Sequence, residues 1–269
     1  MNDRLRDNGI EMTKRFRVTD SIEYIIPDDE IARYLCSGMI VRGKATLFFD
    51  THLGEAETRD LLETEKPDFA LISHYHLDHA LWGGYALECP FTELLVPSLE
   101  ENYLKDLDFF LEKTGGKGFN SPSWKHFVKD KIRFHGFKGF STYDRHTNLR
   151  LGMIKMAFIP VPEHSPGHMA VHFPEEGILF TSDLGVGSFG PWYGFEDCDI
   201  RHYIESIIRL KSLKPKLLLT GHNGMIREDI DAAFDRCTDA FYIREDMLRK
   251  KLEKDFPGLR PWLQQGVSA

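Results

Sequence analysis

The sequence predicts an α/β fold in which two β-sheets pack together and helices cover them. Short β-type runs recur in both halves of the 269-residue chain, with helix-type stretches interspersed among them. No Pro- or Ser-rich linker and no internal repeat divides the chain, so residues 1–269 read as one domain, long enough to bury a substantial core.

Taken in order, the first β-type runs fall at 16–18, 22–26, 39–41 and 45–49, separated by turn residues such as Pro27-Asp28-Asp29 and Arg42-Gly43-Lys44. A helix is expected over about 55–65, because its first turn is acidic and suits the helix dipole. Pro67-Asp68 then breaks the chain, and the apolar run 69–72 reads as a buried strand ending at a histidine cluster. A helix after His79, a strand at 93–96 and a helix at about 98–113 complete a βαβ-like unit. Residues 114–140 change texture to Gly, Lys and aromatics. Strands follow at about 149–161, 169–173, 178–182 and 217–219, with helices at about 198–212 and 227–254.

Composition narrows the function classes. The net charge of −8 argues against a broad basic face for duplex nucleic acid. Four cysteines (Cys36, Cys89, Cys198, Cys237) lie far apart without a CxxC pair, so neither a zinc ribbon nor a disulfide framework is expected. The opening stretch MNDRLRDNGIEMTKRFRV is charged and shows no apolar leader, and the apolar runs are too short to span a bilayer. The expectation is a cytoplasmic, reduced protein with a small-molecule substrate, no nucleic-acid or membrane partner, and room for a homo-oligomer.

Chemistry concentrates in LISHYHLDHALWGG, residues 71–84. His74, His76, Asp78 and His79 form H-x-H-x-D-H, and imidazole with carboxylate is the donor set preferred by zinc and ferrous iron. The cluster follows a buried strand, the end at which α/β sheets carry ligands. Three further apolar strands lead to potential ligands: EHSPGH ends at His168, the run 177–182 leads to Asp183, and 217–221 leads to His222. Gly167 and Gly221 beside them permit tight turns and close approach. His164, four residues before His168, either lines this site or is a satisfied loop histidine.

At these residues the sequence resembles the metallo-β-lactamase-fold superfamily. Five blocks match in order over most of the chain: ATLFFDTHLG with Asp50, then SHYHLDH, SPGH, FTSD and TGH. The resemblance implies an αβ/βα sandwich, two mixed sheets flanked by helices in four layers, with a metal site at one edge. Carried over by motif, His74, His76 and His168 would hold one metal ion, Asp78, His79 and His222 a second, and Asp183 would bridge them. Asp50 is expected beside the ligands rather than among them. Two divalent ions are implied, zinc first, with iron and manganese accepted by the same donors. Such a pair activates water, and Asp78 is placed to orient it or carry its proton. The expected reaction is hydrolysis of an ester, thioester, lactone or phosphodiester. True β-lactamases of this fold usually have cysteine where Asp183 stands, and the lactonases carry a tyrosine where this chain has Val186. The alternatives are a one-iron persulfide dioxygenase-like oxidoreductase and a non-catalytic scaffold.

Two stretches suggest substrate contacts. Residues 113–140 carry seven basic side chains against Asp130 alone, a local charge of +6 against −14 for the rest. With Trp124, Lys125 and Lys129 at its centre, the stretch reads either as a basic, aromatic-lined wall for an anionic substrate or as a surface helix whose aromatics pack inward. SFGPWYG, residues 188–194, offers Trp192 and Tyr193 near the metals, or a rigid turn whose aromatics plug the rim.

Overall fold

The first four strands build a meander, and in the second to fourth of them apolar side chains alternate between two buried faces. In the computed structural model, which describes residues 13–27, 35–50, 52–115, 121–188 and 190–257, the meander comprises β1 (Thr13–Arg17), β2 (Ile22–Pro27), β3 (Gly38–Arg42) and β4 (Thr46–Phe49), all antiparallel. A crossover through helix α1 (Glu55–Glu65) then sets β5 (Phe69–Leu71) parallel to β4. Past β5 come the short helix α2 (Leu77–Ala80), a 3-10 stretch over Leu81–Glu88 and β6 (Glu93–Pro97). Helices α3 (Glu101–Lys105), α4 (Leu107–Thr114) and α5 (Ser121–His126) lead through a wider helical turn, Phe127–Ile132, to β7 (Ser141–Tyr143). These seven strands form one sheet in sequence order.

The second sheet has the order β12-β11-β10-β9-β8, with β8 at Ala157–Pro160, β9 at Met169–Phe173, β10 at Ile178–Ser182, β11 at Leu217–Thr220 and β12 at Met225–Ile226. Helix α6 (Ile200–Ser212) makes the parallel crossover from β10 to β11, and α7 (Ile230–Asp255) follows β12. Both sheets are mixed.

Side-chain alternation along the strands fixes the layers. In β4, Leu47 and Phe49 face the second sheet while Phe48 faces the helices α1 and α4. In β10, Ile178 and Phe180 face the first sheet, and Leu179 packs with Tyr203 and Ile207 of α6 and Phe234 of α7. The result is helix, sheet, sheet, helix: the αβ/βα sandwich. Tyr24 clasps the two sheets, its hydroxyl donating to the Thr220 carbonyl at 2.5 Å. No described helix is long and apolar enough to cross a membrane.

Several expected elements differ. The helix expected over 98–113 is broken at Asp106, whose extended backbone interrupts it and whose carboxylate caps α4 by accepting from the amides of Asp108 and Phe109. The strand expected over 149–161 is confined to β8, because Gly152 turns with φ +80° before it. Of the turn expected at Pro27-Asp28-Asp29, Pro27 closes β2, and positions 28 and 29 lie outside the described residues.

Candidate metal centre

Ligand-type side chains arrive at one edge of the sandwich from both sheets. β4 ends in Asp50, β5 runs into Ser73 and His74, β8 leads into the loop bearing His164, β10 ends beside Asp183, and β11 ends beside Gly221 and His222. Asp50 (φ 59°) and Ser182 (φ 45°) both hold left-handed backbone at their strand ends. Such strain concentrates where surrounding structure over-determines a site.

Three groups of donor atoms result among the described residues; one of them, Cys36 with Asp50 and His79, lies behind the other two and shares His79. Of those two, the ring nitrogens of His74, His76 and His164 form one, and donors of Asp78, His79, Asp183 and His222 form the other, each within 4.8 Å. Asp183 stands between them: its Oδ1 is 3.0 Å from His79 Nε2, and its Oδ2 is 3.3 Å from His222 Nε2 and 3.7 Å from His164 Nε2. Asp78 Oδ2 lies 3.2 Å from His222 Nε2.

His164 joins His74 and His76 in the first group. His168 lies beside this group, its ring 5.0 Å from His74 and 5.4 Å from His164 between centroids, and its Nε2 accepts the Asp183 backbone N–H at 3.3 Å. His164 precedes the Pro-Gly turn and belongs to the loop after β8; its Nδ1–H donates to the Trp192 carbonyl at 2.9 Å, which leaves Nε2 free to face the cluster. His164 and His168 both lie in the loop between β8 and β9.

Buried partners orient the donors. Asp50 accepts from His79 Nδ1–H at 2.9 Å and from the Ser73 amide at 2.8 Å. Ser73 Oγ bonds His74 Nδ1 at 2.9 Å and Ser182 Oγ at 2.8 Å. Partners on the inner ring nitrogens turn the outer nitrogens of His74 and His79 toward the cluster. Glu100 holds the ligand loop by accepting from Ser165 Oγ and the Gly167 amide, and burial lifts its carboxyl to about 8. A Cβ on Gly167 would lie 2.7 Å from Glu100 Cγ, so the loop requires glycine there. Sequence reasoning did not single out Ser73, Ser182 or Glu100, since isolated polar residues have no spacing to reveal them.

Electrostatics separate the two groups. Burial, reinforced by neighbouring imidazoles, keeps His74 and His76 well below the usual histidine range, hence neutral lone-pair donors. Burial would raise the Asp78 and Asp183 carboxyls, but His222 and His79 hold both below their usual range. Burial would likewise lower His79 and His222, but Cys36 with Asp183 and Asp50 raises His79, and Asp183 with Asp78 raises His222. The two carboxylates thus demand positive charge at their centre, which imidazolium or a divalent cation meets. The donor chemistry fits a metal: the Nε2 atoms of His74, His76 and His164 converge, buried, with no hydrogen-bond partner.

Beside the groups opens a cavity of about 880 Å3. Trp124 and Trp192 line it, as does His52, which stacks on Trp82 at 5.6 Å. Tyr193, Lys125 and Lys129 do not. Tyr193 stacks on Phe241 of α7 at 5.1 Å, Lys125 is exposed, and Lys129 Nζ lies 3.7 Å from Asp108. Of the 113–140 aromatics, Phe134 and Phe137 are buried in the core, as the inward-packing alternative anticipated.

This fold and these strand-end donors define a class, and the comparisons agree. The family model described as metallo-beta-lactamase superfamily matches residues 37–222, and the chain belongs to that superfamily. It is 25% identical over 240 residues to the metallo-beta-lactamase fold-containing protein ST1585 of Sulfurisphaera tokodaii, covering 81% of this chain and 87% of that one. Among solved structures it resembles metallo-beta-lactamase family protein TTHA1429 from Thermus thermophilus (TM-score 0.62, 20% identity, 81% of this chain and 78% of that one). It also resembles the metallo-beta-lactamase FIM-1 from Pseudomonas aeruginosa (TM-score 0.59, 15% identity, 86% and 96%).

Proposed function

We propose that the chain is a dinuclear metal-dependent hydrolase acting on an ester, thioester, lactone or phosphodiester. One divalent ion, zinc on donor chemistry, is held by His74, His76 and His164. The second is held by Asp78, His79 and His222, with Asp183 shared between them. The observation that carries this reading is the convergence of three buried, unpartnered imidazole nitrogens next to a second, acidic group.

Bound metal supplies Lewis acidity, which lowers the pKa of water and stabilises charge developing on the substrate oxygen. The protein does the positioning. Asp50 and Ser73 fix imidazole orientation. Asp78, facing the cavity, is placed to accept the proton of the attacking water and pass it to the leaving group. Water oxygen bonds to the carbonyl or phosphoryl centre, the bond to the leaving oxygen or sulfur breaks, and the leaving group departs protonated. The one-iron alternative needs only one donor group; completeness of both favours hydrolysis.

A panel of aryl esters, lactones, thioesters and phosphodiesters tests this, with His76→Ala as control. Turnover of at least one class is expected to fall about 100-fold or more on chelation, return with zinc, and be absent in His76→Ala. Turnover that survives both chelation and the substitution would overturn the reading.

A further inference from the structure

We infer that the cavity selects a neutral carboxylic ester or lactone whose acyl part is a medium-length hydrocarbon chain, laid along an aromatic wall leading away from His76. The inference rests on the hydrolase reading and specifies its substrate. Rings form the wall in a continuous series. His76 meets Phe195 at 5.2 Å, Phe195 meets Trp124 at 6.4 Å, and Trp124 meets Phe127 at 5.7 Å between centroids. Trp192 reinforces its start, 5.3 Å from His76 and 4.9 Å from Phe195. Leu77, Leu81 and Ile132 add aliphatic surface to the same cavity.

No lysine or arginine is among the described residues lining the cavity, so an anion seated along them meets no countercharge from those residues. Lys125 and Lys129 of the basic stretch therefore lend no charge to a ligand in this cavity. Its volume of about 880 Å3 is ample for a chain of several methylenes. The polar end carries the metal-ligand groups through His76, Asp78, His164, Asp183 and His222, so a chain on the wall leaves its carbonyl among them.

Tryptophan fluorescence tests the wall without turnover, since Trp82, Trp124 and Trp192 all line the cavity. The metal-loaded protein is titrated with butan-1-ol, hexan-1-ol and octan-1-ol, which are neutral and not hydrolysed. Affinity is expected to rise about fourfold per methylene. Phe127→Asp, at a position 44% exposed and tolerant of charge, should weaken octanol binding at least tenfold, whereas Lys125→Glu should leave it unchanged. In parallel, kcat/KM should be higher for 4-nitrophenyl octanoate than for the acetate. A chain-length series without slope would overturn the inference whatever the folding of the variants. So would octanol binding that responds to Lys125→Glu but not to Phe127→Asp. Steep octanol binding with no metal-dependent turnover of any ester would retain the apolar cavity and reject the hydrolase reading instead.

Discussion

Gly221 shows how tightly the donor cluster is drawn. A Cβ at this residue would lie 2.2 Å from Asp183 Oδ1 and 3.0 Å from His79 Cε1, so only glycine lets β11 reach the cluster. Gly221→Ala should lower metal affinity by at least tenfold while leaving the far-ultraviolet circular dichroism unchanged; competition with a chromogenic chelator measures it. Retained affinity would mean that the Asp183 carboxylate is not fixed by this approach. At the same scale, H-x-H-x-D-H was legible because four donors sit within six residues, and Asp183 and His222 because each follows an apolar run. His164 and His168 lie in one short loop motif, and spacing alone does not say which of them faces His74 and His76. In the fold His164 Nε2 has no hydrogen-bond partner, while His168 Nε2 accepts a backbone amide, a difference no spacing encodes. Tyr193 was misplaced for a related reason: adjacent residues of an irregular loop point apart, so Trp192 faces the cavity while its neighbour packs on α7.

Among the elements, α6 is the crossover on which the second sheet's parallel pair depends. Its N-terminus is capped by Asp199, which accepts from the amides of Arg201 and His202. Asp199→Ala should cost about 1 kcal/mol, read as a lower urea midpoint with an unchanged slope. The pH dependence has a defined sign. The His202 amide bond, aided by the nearby imidazole, holds the Asp199 carboxyl below its usual range. Stabilisation from this cap is therefore complete above the unfolded-state pKa and is lost as pH falls through the folded-state value. The stability difference between wild type and Asp199→Ala should shrink on acidification below about pH 4. Strands 169–173 and 178–182 were legible to the residue because turns bound them on both sides. The helix expected at 98–113 failed at Asp106, a residue that reads as an ordinary polar position until its cap geometry is seen. β7 and β12 are too short, at three and two residues, for alternation to register.

Across the whole molecule, the two sheets meet through Phe180, which packs edge-on against Phe49 at 5.2 Å and Tyr24 at 6.4 Å. Phe180→Ala should destabilise the fold by about 3–5 kcal/mol, since the cavity would lie between sheets that cannot close on it independently. Donors from both sheets meet at one edge, so a bound metal ties the halves together. Chelation should consequently lower the melting temperature, by the equivalent of about 4 kcal/mol where free metal stood at a thousandfold its Kd. A melting temperature indifferent to chelation would place metal binding outside the inter-sheet edge. The central claim, that His74, His76 and His164 hold one ion and Asp78, His79 and His222 a second, is tested most directly by metal stoichiometry. Elemental analysis of dialysed protein should give about two divalent ions per chain in the wild type and about one in His164→Ala, with His168→Ala close to the wild type. No bound metal in the wild type, or a metal lost with His168 and retained without His164, would contradict it.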